Sequence, residues 1–461
     1  MNHTVRQSTI TETPQGSDPT APATAPRGRV GRIVAGSLAT GLIGGLLLVV
    51  VPFVPASEAG ATGAILVGFA LGWAMLAVLS TRYTDQPQRW AALPAAFMGL
   101  GGLLLIVFGS TAQGVLSWVW PPALLAVVIW MFVQVRRHLR STGARILLYP
   151  VFALLAVASV GGGVETVLEA YDASNYPMAG QVIDVDGHGM HLNCTGTGSP
   201  TVVLEPGAGD MASTMAWIAP AVARDTRVCV YDRPGRGWSE ESDAPQDGTR
   251  VAADLHTLLH AAHVPGPYVL AGHSFGGLYV MAYAAHYPSD VAGMVLIDST
   301  IPTSPAPGTV PPTVRNDVLV RASALVSVVS RVGLGRLYAM VSYGTLPSPA
   351  LEEVRASIST PATLRSSIDE YVQGNASMQE AAELGTLGDT PLYVVTAGSG
   401  SAEDWFAKQD KLARLSTNSV HRVVDGATHE SLVADQTPAA STTAAIREVV
   451  SWVRTGTPLA R

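Results

Sequence analysis

Gly272-His273-Ser274-Phe275-Gly276 sets one serine between two glycines, after the apolar run Tyr268–Ala271 and before a helical stretch from Leu278 to His286. A serine at the tip of a sharp strand-to-helix turn projects its hydroxyl away from the sheet. Flanking glycines let neighbouring backbone pass without Cβ clashes. The helix N-terminus behind it favours negative charge developing on a bound oxygen. A nucleophilic serine needs a base, and the chain offers eleven histidines. His429, in Gly426-Ala427-Thr428-His429-Glu430, follows the strand-like run Val420–Val424. His273 occupies the variable place of the serine motif and reads as a packing and hydrogen-bonding residue. His421 reads as an exposed strand residue, and His188 and His191 lie by an early strand.

The elements needed to hold such a site are present. Short apolar runs (Thr201–Leu204, Arg227–Tyr231, Tyr268–Ala271, Met294–Ile297, Leu392–Thr396) alternate with helical stretches such as 251–263. That alternation predicts an α/β domain over residues 178–455 with a largely parallel sheet. Three segments carry a family resemblance: Val202-Val203-Leu204-Glu205-Pro206-Gly207-Ala208-Gly209, Tyr231-Asp232-Arg233-Pro234-Gly235-Arg236-Gly237-Trp238-Ser239 and the serine turn itself. Through them the stretch from Met190 to Val453 resembles the α/β-hydrolase family.

The resemblance implies the order serine, acid, histidine along the chain, so Ser274 is expected as nucleophile and His429 as general base. Two acids are open. Asp298 follows Met294–Ile297 without insertion and is favoured; Asp404 lies a few residues late after Leu392–Thr396 and is the alternative. The main-chain N–H groups of Phe275 and Ala208 are expected to form the oxyanion hole, although Glu205-Pro206 stands where many members have a His-Gly start. The region 302–389 is too long for a simple connection and resembles the family's helical cap. Its apolar stretch 319–341, interrupted by Arg321, Arg331 and Arg336, suits an acyl or lipid-like substrate. The implied activity is hydrolysis of an ester or related acyl bond through an acyl-enzyme, with no metal or organic cofactor. The alternatives are an acyltransferase or peptidase on the same fold, or a catalytically silent ligand-binding ectodomain.

The first third of the chain is of another kind. The whole chain is 48% hydrophobic and only 14% charged, against roughly a quarter charged in soluble domains. Residues 1–31, rich in Thr, Pro, Ala and Gly, read as a disordered tail. Five charge-free apolar runs follow within residues 32–165, at about 33–54, 61–80, 91–110, 115–135 and 146–164. Each is about long enough to cross a bilayer as helix. Residues 166–177 then read as a linker. With no ionisable residue inside a run, ion or proton transport is disfavoured; the glycines at 41–45 and 99–102 suit close helix packing.

Arg27, Arg29 and Arg32, then Arg82 and Arg89, then Arg136, Arg137, Arg140 and Arg145 fall in alternate connections. The positive-inside rule then puts the N-terminus in the cytoplasm of a multi-pass cell-membrane protein and the hydrolase outside. A net charge of −7 favours no nucleic-acid partner. The scarcity of lysine beside arginine suggests a GC-rich bacterial source. In the resembled fold the strands bearing Cys194 and Cys229 are sheet neighbours. Two readings stay open there: a disulfide, which an outer-face location permits, or two buried thiols.

Overall fold

The computed structural model describes residues 30–242, 244–303, 321, 324–328, 330–340, 345–400, 402 and 404–457. The expected tail 1–31 lies almost wholly outside the described residues, as do parts of the expected cap region.

Four helices open the described chain: α1 Val30–Val50, α2 Glu58–Tyr83, α3 Ala92–His138 and α4 Thr142–Asn175. All four are long and apolar enough to cross a membrane, and their most apolar windows are only 28–33% buried. Leu42, Leu46, Leu100, Val107, Ile129, Leu154 and Val160 face outward. Such large apolar faces suit a lipid surround.

The expectation of five separate spans needs correction. Two of them are one element, α3, which has no loop at 111–114 but departs from helical geometry at Gly109 (φ 53°, ψ −131°). The chain reverses there. Phe97 stacks on Trp120 with ring centroids 4.0 Å apart, and Trp90 meets Trp130 at 6.4 Å. Two antiparallel legs follow. Glycine packing draws α1 and α2 together: a Cβ on Gly68 would sit 2.4 Å from the Gly45 nitrogen.

The stretch expected as a linker is also corrected, because α4 continues to Asn175. Its polar extension has partners. Arg331 pairs with Glu169 (3.0 Å), and Arg336 with Glu165 (2.8 Å) and Asp172 (2.8 Å). Arg331 also forks onto Glu58 at the start of α2, with two contacts of 2.7 Å. These acids share the end of the bundle that meets the second part of the chain. Arg82, Arg89, Arg136, Arg137, Arg140 and Arg145 gather at the opposite end, where Gln88 bonds the His138 carbonyl and Arg140 bonds Gln86.

The second part is an eight-stranded sheet in the order β1-β2-β4-β3-β5-β6-β7-β8. Strands β1 Gln181–Val185 and β2 His188–Thr195 are antiparallel to their neighbours. Strands β3 Thr201–Glu205, β4 Val228–Tyr231, β5 Tyr268–His273, β6 Val291–Ile297, β7 Leu392–Ala397 and β8 Ser419–Val424 run parallel. The central strands β3, β5 and β7 are buried along their whole length. This is why they read as continuous apolar runs rather than alternating ones. Helices cover both faces, including Gly248–Ala261, Phe275–His286 and Gln436–Thr455. Within the cap region the described helices include Leu334–Ala339, Ala350–Ile358 and Pro361–Ala381.

Candidate active site

The site lies beyond the C-terminal ends of the parallel strands, where open α/β sheets bind ligands. Strand β5 ends at His273 and the helix Phe275–His286 begins one residue later. Only Ser274 makes the turn, at φ 55° and ψ −122°. That conformation costs a residue with a Cβ roughly 1–3 kcal/mol, and such residues cluster at functional sites. The glycines beside it are obligatory. A Cβ on Gly272 would meet the Gly276 carbonyl at 2.4 Å, and one on Gly276 the Glu205 carbonyl at 2.3 Å.

The next strand repeats the device. Asp298, immediately after β6, has φ 43° and is 1% exposed. One carboxylate oxygen accepts the Trp405 indole N–H (2.8 Å) and the Ala397 N–H (3.2 Å). The other accepts the Nδ1–H of His429 at 2.6 Å. Burial alone would raise this carboxyl, but the His429 and Trp405 hydrogen bonds outweigh it and hold it below its ordinary value. Asp404, the alternative acid, points elsewhere. It is on the surface, paired with Lys408 at 2.6 Å.

His429 stands in the loop after β8. Its Nδ1 is engaged by Asp298, which leaves Nε2 as the nitrogen available to the cavity that His429 and Ser274 both line. His273 steadies it from below, its Nε2–H donating to the His429 carbonyl at 3.0 Å. Burial pushes the His273 imidazole down to about 3, and the neighbouring His429 adds in the same direction. It is therefore neutral at pH 7, a structural donor rather than a second base.

The cavity, about 530 Å³, is walled by the 207–210 loop on one side and cap residues such as Val326, Leu334, Tyr338 and Tyr371 on the other. Ala208 lies in that loop, beside the serine; a Cβ on Gly207 would sit 3.2 Å from the Ser274 Cβ. Phe275 opens the helix, so its N–H belongs to the first turn and has no acceptor within the helix.

Three residues that sequence reasoning left without a role fix this loop. Arg233 bonds the Pro206 and Gly207 carbonyls (2.9 and 2.6 Å) and pairs with Glu205 and Glu370. Glu370, on the cap helix Pro361–Ala381, accepts Arg236 at 2.6 Å and the Gly209 N–H at 2.9 Å. All these side chains are buried. Burial would raise the Glu370 carboxyl, but Arg233 and Arg236 outweigh it and hold it below its ordinary value. The loop, the 231–239 turn and the cap are thereby tied together. The one available signal was the Tyr231-Asp232-Arg233 turn; Glu370 has no motif around it.

Cys194 and Cys229 are register partners across β2 and β4 and are joined as a disulfide.

Residues 200–435, just over half the chain, match the family model described as the alpha/beta hydrolase fold. An uncharacterised Schizosaccharomyces pombe protein is 27% identical over 53% of this chain and 51% of its own length. An uncharacterised vacuolar membrane protein of Saccharomyces cerevisiae is 34% identical over 22% of this chain and 16% of its own. A solved thermophilic esterase from Thermogutta terrifontis is 23% identical, with a TM-score of 0.46, over 60% of this chain and 99% of its own. The chain thus spans about half the length of the first of these curated relatives or less.

Proposed function

The chain belongs to the α/β-hydrolase fold family, and from that premise we propose that it is a membrane-attached serine hydrolase cleaving an ester or related acyl bond. One observation carries the reading. The imidazole of His429 is oriented by a buried Asp298 at 2.6 Å and shares a cavity with a serine held at positive φ. Ser274 Oγ bonds to the acyl carbon as its proton passes to His429 Nε2. The carbonyl oxygen becomes an oxyanion facing the Phe275 and Ala208 N–H groups. The alcohol leaves with the proton from His429. Water then repeats the sequence on the acyl-enzyme and frees the acid. A serine at the turn supports an acyl-enzyme over the ester intermediate that an aspartate there would form.

The purified full chain, mixed with a chromogenic short-chain ester, is expected to release a burst of about one equivalent of alcohol before steady turnover. Absence of turnover on esters of every chain length, in a folded sample, would sink the assignment.

For topology, we take the basic end of the bundle as cytoplasmic, which puts the hydrolase on the outer face of the cell membrane. The Cys194–Cys229 disulfide is compatible with that oxidising side. Protease added to intact spheroplasts should remove the hydrolase while sparing an N-terminal tag. A protected hydrolase with a digested tag would reverse the orientation, and protection of both would mean an even number of passes.

A further inference from the structure

A partly open cavity of about 340 Å³ lies between α2, α3 and α4. Its walls are almost wholly apolar, with Leu66, Phe69, Leu116, Leu124, Leu154 and Ala158 among them. Polar groups gather at one end, where Glu58 accepts Gln113 (2.6 Å) and Arg331 (2.7 Å). This is the end facing the hydrolase. A second hollow, about 450 Å³, lies on the outer surface between α3 and α4 beside the exposed Val160 and Val164. The two share Pro121 and Ser159. The seam at that point is held by Ser159 bonding the Pro121 carbonyl at 2.6 Å.

The roof of the inner cavity is also a wall of the catalytic cavity. Val328, Arg331 and Val332 close the bundle cavity, while Val326, Ser330 and Leu334 line the cavity of Ser274. The contact is intimate: a Cβ on Gly161 of α4 would sit 2.4 Å from the Val332 carbonyl. One short segment therefore separates an apolar chamber at membrane depth from the nucleophile.

We propose that the bundle cavity binds the acyl chain of a bilayer-dissolved ester, which enters between α3 and α4, and that Val326, Val328 and residues 330–334 form the partition this substrate crosses to reach Ser274. This rests on the hydrolase reading and names its substrate class. An apolar, bilayer-level chamber with its polar rim toward the reactive centre matches an amphiphile with its ester end uppermost. It matches no short water-soluble ester. The bundle is then part of the substrate site as well as an anchor.

The test uses the full chain in phosphatidylcholine nanodiscs and the variant Ala158→Phe, which fills the cavity far from Ser274. Thr62→Leu, on the opposite wall, serves if the first variant misfolds. With p-nitrophenyl palmitate, kcat/KM should fall about ten-fold or more. With p-nitrophenyl butyrate it should not change. A diazirine-bearing long-chain ester should crosslink to α2 and α4, and less so in the variant. If butyrate is hydrolysed but palmitate turnover ignores both substitutions, the cavity proposal is wrong while the hydrolase stands. Crosslinking of the free fatty acid but not the ester also overturns it. If unmodified protein hydrolyses neither ester, the failure belongs to the hydrolase reading itself.

Discussion

Ser274→Ala is expected to remove ester hydrolysis almost completely, a loss of roughly 10⁶ in kcat by analogy with other serine nucleophiles. The substitution deletes one oxygen from a surface that Gly272, Gly276 and the Glu205 carbonyl already define, so the fold has no reason to fail. Unchanged thermal unfolding would establish that. His429→Ala should cost a comparable amount, and the double variant little more than either, because nucleophile and base act in one proton transfer. Turnover close to that of the unmodified chain in Ser274→Ala, measured on purified protein, would remove the serine from the mechanism.

The second large effect separates two aspartates. Asp298→Asn keeps the shape of the site but replaces an acceptor of the His429 Nδ1–H with an amide. The imidazole can then settle in the wrong tautomer, a defect worth roughly 10⁴ in kcat in a well-studied triad. Asp404→Asn should leave kcat nearly unchanged, since that carboxylate is exposed and its partner is Lys408. Equal, mild losses in both would mean that neither orients the base.

What was legible in the sequence follows from how local the determinants are. Ser274 is announced by the glycines two residues to either side, because the turn leaves no room for a Cβ at Gly272 or Gly276. Asp298 is announced by the uninterrupted strand before it. The sheet order could not be read from spacing alone; that the strands bearing Cys194 and Cys229 are neighbours came through family resemblance, with disulfide and free thiols both left open, and the register places the two opposite one another.

Glu370 was invisible. It sits on an ordinary-looking helix, and its partners Arg233 and Arg236 are more than 130 residues away in the chain. The arginines at 321, 331 and 336 were visible but misplaced in meaning, read as interruptions of an apolar cap stretch. Arg321 instead bonds the Val54 carbonyl at 2.7 Å, and the other two reach α2 and α4. The helix reversal at Gly109 was missed by two residues. Neither charge nor proline marks it, and one glycine at positive φ suffices to turn a helix back on itself. The polar tail of α4 was read as a linker; the cations that pair its acids arrive from the cap, far along the chain.

The most direct test of the central claim is covalent. A fluorophosphonate probe incubated with the full chain should phosphonylate one residue, and peptide mass spectrometry should place the adduct on Ser274. Ser274→Ala should show no adduct, and Asp298→Asn should react far more slowly. A folded, ester-hydrolysing chain that carries no adduct, or carries it on another residue, would contradict the account.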